Sequence, residues 1–389
     1  MPLWLLLTLP WIGLMLFVAF RVKLPSELPP PDEADAAGST AHLVSVVVPA
    51  RNEAHNISRL LESLTRSTWP RFEVVVVDDR STDGTADLAR AAAPGNAERI
   101  EVVDGEALPE GWMGKPWACW QGAHRARGEL LLFTDADTIH GPDLLSRAVA
   151  GLRRVGADAV TVVGRQLMET FWERLVQPQI FMTMALRYTD LRRPPRRSRW
   201  RSAIANGQYL LFRRETYLAI GGHEAVRDAV VEDLRLAQIL VKGGWRFRAM
   251  RAEDALATRM YRSLAELVAG WSKNLVLGGV QTLHPWLRPF APPALFLAAV
   301  LWWVVPPAAA VAGLAGVVAG PWVTWAGVVV AVSALFWCLV TGRMGVPWWY
   351  GVLYPLGATV SAWIVLRSWL GMRRVEWKGR TYRTGVSSG

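Results

Sequence analysis

Apolar positions along this chain fall into three patterns. Residues 3–20 (LWLLLTLPWIGLMLFVAF) form one apolar run, closed by Arg21 and Lys23. A run of about 18 residues is long enough to cross a bilayer as a helix. No basic segment precedes it and no A-x-A site comes after it, which argues against a cleaved signal peptide. The cations on its C-terminal side put that end in the cytoplasm. Residues 25–41 (PSELPPPDEADAAGSTA) then read as a linker, rich in Pro and small polar residues.

From 42 to 285 the pattern changes. Short runs of Val, Ile and Leu recur at 44–48, 73–77, 100–103, 129–133 and 159–163. Runs that are apolar at every position suit strands covered on both faces, as in parallel sheets. Between the first two lies EAHNISRLLESLTRS, with apolar residues at helical spacing. The spacing predicts βαβ units and an α/β domain with a mostly parallel, Rossmann-like sheet.

The third pattern covers 286–372. Residues 289–372 hold only two charged side chains, Arg343 and Arg367. Candidate membrane helices lie at about 292–313, 321–341 and 348–369, with Pro306-Pro307 interrupting the first. Three crossings would put the tail RRVEWKGR opposite the catalytic domain, against the positive-inside tendency. A Pro-broken hairpin near 292–319 would return it, so an even number of crossings is favoured. The expected organisation is a transmembrane helix (1–24), a linker (25–41), an α/β domain (42–285), transmembrane helices (286–372) and a basic tail (373–389).

Composition narrows the function classes. At 52% hydrophobic and 20% charged, the chain is too apolar to be disordered. Two cysteines, Cys119 and Cys338, exclude a disulfide scaffold. The net charge of +10 raises nucleic acid as a partner. The cations instead concentrate at 187–201, with seven Arg near apolar segments. That segment reads as a solvated loop or as a surface for anionic headgroups, and no nucleic-acid partner is expected.

Candidate chemistry sits where the apolar runs stop. The first run ends in PARNEA (Pro49, Arg51, Glu53) and the second in DDRSTDGT (Asp78 to Thr85). Ligands of open α/β sheets bind beyond the carboxyl ends of strands, so both motifs face one crevice. Asp79 suits a ligand role there, whereas Asp83-Gly84 is also simply a turn with a helix cap. The fourth run enters FTDADT, where extended alternation would put Asp135 and Asp137 on one side. Such a pair suits Mg²⁺ or Mn²⁺ completed by phosphate oxygens.

Taken in order, PARNEA, VVVDDRSTDGT, GKPWA, TDADT and VED resemble the family 2 glycosyltransferases, which have the GT-A fold. The likeness covers about 44–280. It implies a nucleotide-sugar donor, UDP- or GDP-linked, a divalent metal and inversion at the anomeric carbon. Pro49, Arg51, Glu53, Asp79, Lys115 and Asp135 then fall in the nucleotide-sugar site, with Asp79 at the nucleobase. Asp135 and Asp137 fall on the metal, which would stabilise the departing diphosphate. Asp233, beside Glu232, falls on the general base, or the pair is simply favoured at a helix start. Gly207, Gln208, Gly222 and His223 are expected in the acceptor pocket, His223 alternatively as an ordinary helix-entry residue.

Processive family members carry Q-x-x-R-W downstream of that Asp. Here the corresponding stretch is LVAGWSKN, without the Gln and Arg, which speaks against polymerisation. Trp271 is left to line the acceptor path and Lys273 to contact the diphosphate. GWMGKPWA and the tail WKGRTY are similar to bacterial membrane members that glycosylate carotenoids or are associated with hopanoid synthesis. Residues 166–186, rich in Met and Phe, suit an interfacial helix that gathers a lipid acceptor, or a core helix. The expectation is an enzyme of a bacterial-type inner membrane, with a cytoplasmic catalytic domain, glycosylating a carotenoid, hopanoid or other isoprenoid lipid. The rivals are a processive polysaccharide synthase and a catalytically silent lipid-binding scaffold.

Overall fold

The computed structural model describes residues 3–32, 41–372 and 374–383. Strands of the first part are β1 (Ser26–Glu27), β2 (Val44–Ala50), β3 (Phe72–Asp78), β4 (Ile100–Asp104), β5 (Leu130–Phe133), β6 (Thr138–His140), β7 (Ala159–Val163), β8 (Arg165–Gln166), β9 (Leu210–Arg213), β10 (Phe247–Arg251) and β11 (Leu256–Thr258). The helices are α1 (Leu3–Arg21), α2 (Ile57–Leu64), α3 (Thr85–Arg90), α4 (Gly114–Arg125), α5 (Leu144–Arg154), α6 (Phe171–Arg187), α7 (Arg214–Ala219), α8 (Glu232–Gly243) and α9 (Leu264–Gln281). All five expected strands form.

The main sheet has the order β1-β10-β7-β9-β5-β2-β3-β4. Helices cover both faces, so every residue of β3 is buried, as its unbroken apolar run predicts. On α2 the residues Ile57, Leu60, Leu61 and Leu64 form one buried stripe at helical spacing. All pairings are parallel except those of β9, which runs antiparallel to both β5 and β7. Because β9 is reversed, the residues just before it lie beside the carboxyl end of β5. A smaller sheet, β6-β11-β8, stands next to that end.

Part of the expected linker is built into the fold. β1 pairs with β10, and Leu28 is buried in the core. The rest of that linker, 33–40, and the last tail residues, 384–389, lie outside the described residues.

The membrane region departs from expectation in two ways. Among the described residues, two helices are long and apolar enough to cross a membrane: α10 (Ala291–Leu314) and α11 (Pro321–Arg343). Pro306-Pro307 does not split α10 into a hairpin. A π-helical stretch, Val300–Val304, precedes the prolines and the helix continues through them; such wide turns accommodate missing N–H groups. The third expected span is shorter than its apolar run. Its first part is a short 3₁₀ turn, Trp348–Gly351, and the helix after that turn is α12 (Tyr354–Leu370), 17 residues long. α12 buries Tyr354, Gly357 and Ala358 at one end and Val365 and Ser368 at the other, packing on α6 and α9. α1, about 28 Å long at 1.5 Å per residue, lies on α11, with Trp11 against Trp302 and Trp325. After α12 the chain ends in an antiparallel hairpin, β12 (Arg374–Trp377) and β13 (Arg380–Arg383).

Candidate active site

The crevice lies where the carboxyl ends of β2, β3 and β5 meet the reversed end of β9 and the first turns of α4 and α8. Pro49, Lys115, Asp135, Gly207, His223, Glu232 and Asp233 line one cavity there. Lys115, in the first turn of α4, bridges two carboxylates. Its Nζ stands 2.7 Å from Asp135 Oδ1 and 2.8 Å from Glu232 Oε1. Burial opposes its charge, but Asp135, Glu232 and Asp233 outweigh burial and hold the ammonium well above its ordinary range.

Glu232 and Asp233 open α8, where the helix dipole favours negative charge. They are driven in opposite directions. Burial alone would raise Glu232, yet the Lys115 ion pair brings it below the usual carboxylate range. Asp233 is pushed up to about 7, by burial first and then by the charge of Glu232. Two backbone groups hold its carboxyl. Gly207 N–H donates to Oδ2 at 2.6 Å and Leu234 N–H donates to Oδ1 at 2.7 Å. A side chain at position 207 would displace the ion-pair groups, since a Cβ would stand 2.8 Å from Lys115 Nζ and 3.2 Å from Asp233 Oδ2.

Asp135 and Asp137 do come together, but not by strand alternation. β5 stops at Phe133, and it leads into a turn in which Thr138 N–H donates to Asp135 O. Asp137 is pushed up to about 8, by burial and then by Asp135 and Glu53. Its Oδ1 is buried and has no hydrogen-bond partner within the protein. A half-buried carboxylate pair with one buried, unengaged oxygen fits a divalent cation that takes its other ligands from phosphate and water. Among the described residues no group of three or more His, Cys, Asp or Glu is arranged as a metal cage.

At the other end of the crevice Asp79 is buried, and burial pushes it up against the pull of Arg380 and Arg51. Arg51 Nη1 donates to Asp79 O at 2.5 Å. Glu53 accepts from Asn56 Nδ2 at 2.8 Å and pairs with Lys378. Asp83 fills the turn role: it accepts from Ala54 N–H and Thr85 N–H, tying two loops together.

The expected acceptor residues divide. His223 lines the cavity floor as a neutral imidazole, lowered to about 3 by burial and bonded to Tyr217 Oη at 2.9 Å. Gln208 accepts from Gln166 and Asn206, and its backbone carbonyl accepts from Thr134 Oγ1 at 2.7 Å. Lys273 is brought down to about 8 by burial, against the pull of Glu232, which puts it near the acidic pair. Trp271 is not in the cavity lining; it packs between Phe181 and Tyr261. Sequence reasoning misses Lys378 and Arg380. They lie more than 300 residues from their partners, and a two-cation turn carries no spacing signal.

Comparison with known proteins agrees with this geometry. The sequence profile of Glycosyl transferase family 2 matches residues 45–220, which include the ends of β2, β3 and β5. The 4,4'-diaponeurosporenoate glycosyltransferase of Staphylococcus haemolyticus (strain JCSC1435) is 25% identical over 250 residues, 63% of this chain and 64% of that protein. Its namesake in Staphylococcus aureus (strain USA300) is 26% identical over 271 residues, 67% of this chain and 65% of that protein. The chain thus spans somewhat less than two thirds of these relatives' length. The mannosyltransferase of Pyrobaculum calidifontis, solved with GDP-Man and Mn²⁺, superposes with a TM-score of 0.53 at 21% identity, covering 95% of this chain and 97% of that one. That likeness is one of fold. The strand-end motifs lie inside the family match, and a mixed GT-A-like sheet carries apolar helices of membrane-spanning length: over residues 45–220 the chain is similar to the family 2 glycosyltransferases.

Proposed function

We propose that the protein transfers a sugar from a nucleotide-linked donor to a lipid acceptor at the membrane surface, with inversion at the anomeric carbon. The observation that carries this reading is the opposed pair at the start of α8. Glu232 is held ionised by Lys115, while Asp233, pushed up to about 7, is matched to accept a proton near neutral pH. The Gly207 and Leu234 N–H groups fix the carboxyl in the cavity, one on each oxygen, and each oxygen keeps a second lone pair for the acceptor's proton. As that hydroxyl oxygen attacks the anomeric carbon, its proton passes to Asp233 and the bond to the nucleoside diphosphate breaks on the opposite face.

Asp135 and Asp137 would hold Mg²⁺ or Mn²⁺. Such an ion, when bound, supplies positive charge against the leaving diphosphate. Lys115 pairs with Asp135 and opposes the upward push that burial gives its carboxyl. A lipid acceptor is supported by the apolar helices α6, α9 and α12, which pack together beside the crevice and join it to α10 and α11. It is also supported by the relatives, whose names specify a carotenoid acid as the acceptor. We place the catalytic domain on the cytoplasmic side of a bacterial-type inner membrane.

The test is sugar transfer by the purified protein in lipid, with Mg²⁺ or Mn²⁺ and a panel of radiolabelled UDP- and GDP-sugars. Extracted membrane lipids serve as acceptors. A single-sugar lipid product, lost with chelator and in Asp137→Ala, is expected. A water-soluble polymer would replace the reading with a polysaccharide synthase, and no transfer and no nucleotide binding would leave a silent scaffold.

A further inference from the structure

The two aspartates after β5 are flanked by threonines, in the order T-D-A-D-T, and both threonines reach one imidazole. His140, at the end of β6, has its Nε2 3.0 Å from Thr134 Oγ1 and 3.0 Å from Thr138 Oγ1. The two hydroxyl oxygens stand 3.1 Å apart. All three side chains are buried. Each hydroxyl is also aimed out of this triangle at a backbone carbonyl. Thr138 Oγ1 donates to Asp135 O at 2.8 Å, within the turn. Thr134 Oγ1 donates to Gln208 O at 2.7 Å, across to the loop that precedes β9. On the other side of Gly207, Asn206 N–H donates to Thr161 Oγ1 at 2.9 Å. Gly207, whose N–H holds Asp233, is therefore fixed from both sides.

Counting protons assigns the imidazole. A hydroxyl has one proton to donate and a carbonyl has none. Both hydroxyl protons go to carbonyls, so the proton between the two hydroxyl oxygens is His140 Nε2–H. Burial lowers this imidazole to about 3, so the ring is neutral and carries that one N–H. The ring itself is well held. His140 N–H donates to Ser63 Oγ at 3.0 Å, His140 pairs with Leu256 of β11, and its ring lies 5.6 Å from that of Tyr209.

We propose that His140 is a positioning residue of the transfer reaction: its Nε2–H ties the turn that carries Asp135 and Asp137 to the loop that carries Gly207, so the two aspartates and Asp233 keep a fixed separation. The inference rests on the roles proposed above for those three residues. That separation matters because attack and departure take place on opposite faces of one carbon. The base must stand on one side of it and the charge that meets the diphosphate on the other. His140 acts through the turn and the loop, not on the substrate; polar groups behind a ligand-bearing segment work by orienting it. Three buried polar side chains carry a desolvation cost that an apolar trio of the same volume would avoid. An apolar trio would fill the space, but it would direct neither Asp135 O nor Gln208 O.

The experiment uses the full-length protein in lipid nanodiscs with Mn²⁺, the UDP- or GDP-sugar that the parent turns over, and a lipid acceptor bearing a hydroxyl. The parent, His140→Phe, His140→Gln and Thr134→Val are compared in kcat, in Mn²⁺ affinity by electron paramagnetic resonance, and in thermal unfolding. Phe keeps a ring against Tyr209 and removes the N–H, whereas Gln places an amide N–H near the position of Nε2. His140→Phe should lower kcat about 10²-fold and weaken Mn²⁺ binding about 10-fold, and His140→Gln should recover most of both. Thr134→Val leaves the bond from Thr138 to Asp135 in place, so it should lower kcat about 10-fold with Mn²⁺ affinity unchanged. Parental kcat and Mn²⁺ affinity in a folded His140→Phe overturn the proposal. So does a His140→Gln as impaired as His140→Phe, since the ring would then only fill space. Should His140→Phe not fold, Thr134→Val decides, and parental kcat in that variant overturns the proposal. A parent that neither transfers sugar nor binds nucleotide overturns the proposed function itself, and the positioning role falls with it.

Discussion

Glu232 and Asp233 are neighbours in sequence with opposite acid–base behaviour, and one substitution separates their roles. Asp233→Asn should lower kcat by about 10²- to 10⁴-fold on a hydroxyl acceptor. In the parent, Asp233 carries its proton below about pH 7 and cannot take another. Activity should therefore rise with pH through that value, and this acid limb should vanish in Asp233→Asn. A carboxylic acid acceptor is already ionised near neutrality and needs no base, so on such an acceptor the variant should stay close to the parent. Parental activity on a hydroxyl acceptor would remove Asp233 as the base. Gly207→Ala tests the support of that base. The added methyl would push on Lys115 Nζ and the Asp233 carboxyl, and a displacement near 1 Å is worth about 10²-fold in rate. Steady-state kinetics beside a thermal melt would show activity lost with the fold retained. Most of these residues are legible in the sequence because polar groups stand where apolar runs end, at Asp79, Asp135 and Asp233. How they are held is not legible. The turn that brings Asp137 to Asp135 departs from extended alternation, and the Gly207 N–H bond to Asp233 depends on a reversed strand.

That reversed strand, β9, shows the limit at the scale of elements. LLFR is four residues long and runs directly into α7, so neither length nor alternation sets it apart. The parallel strands β2 and β3 are seven residues each and stand out. α6 carries a clearer signal than its Met and Phe content. Thr170 accepts from Glu173 N–H while Glu173 accepts from Thr170 N–H, a T-x-x-E capping box visible in the sequence. Glu173 is fully buried and paired with Arg259. The helix thus serves as packed support against α9 and α12, whatever it does for an acceptor. Thr170→Ala should cost about 1 kcal/mol. Glu173→Ala should cost more, about 3 kcal/mol, because it also removes the buried partner of Arg259. Thermal melts of both variants in one detergent would rank them, and the reverse order would show that the cap matters more than the ion pair.

Taken whole, the molecule keeps its charge at one end of its membrane helices. Arg21 closes α1, Arg288 precedes α10 and Arg343 closes α11, whereas the connection at 315–320 has no charged residue. The Arg-rich segment is fastened at the same end: Lys23 N–H donates to Thr189 O, and Leu191 N–H donates back to Lys23 O. Its Asp190 pairs with Arg192 and Arg193, leaving Arg196, Arg197 and Arg199 exposed without that acid. Cations gathered this way fit the cytoplasmic placement proposed above. The hairpin contacts with Asp79 and Glu53 require the same topology, because they bring the chain beyond α12 back to the catalytic domain. On the placement proposed above, α10 and α11 cross out and back, and α12 stays on the catalytic side. Single cysteines at Gly316 and Thr381, in a protein whose Cys119 and Cys338 are replaced by serine, should therefore behave oppositely toward a membrane-impermeant maleimide. The cysteine at 316 should label in intact cells, and the one at 381 only after the membrane is opened. Labelling of both in intact cells would mean that α12 crosses, and the hairpin could then not reach Asp79.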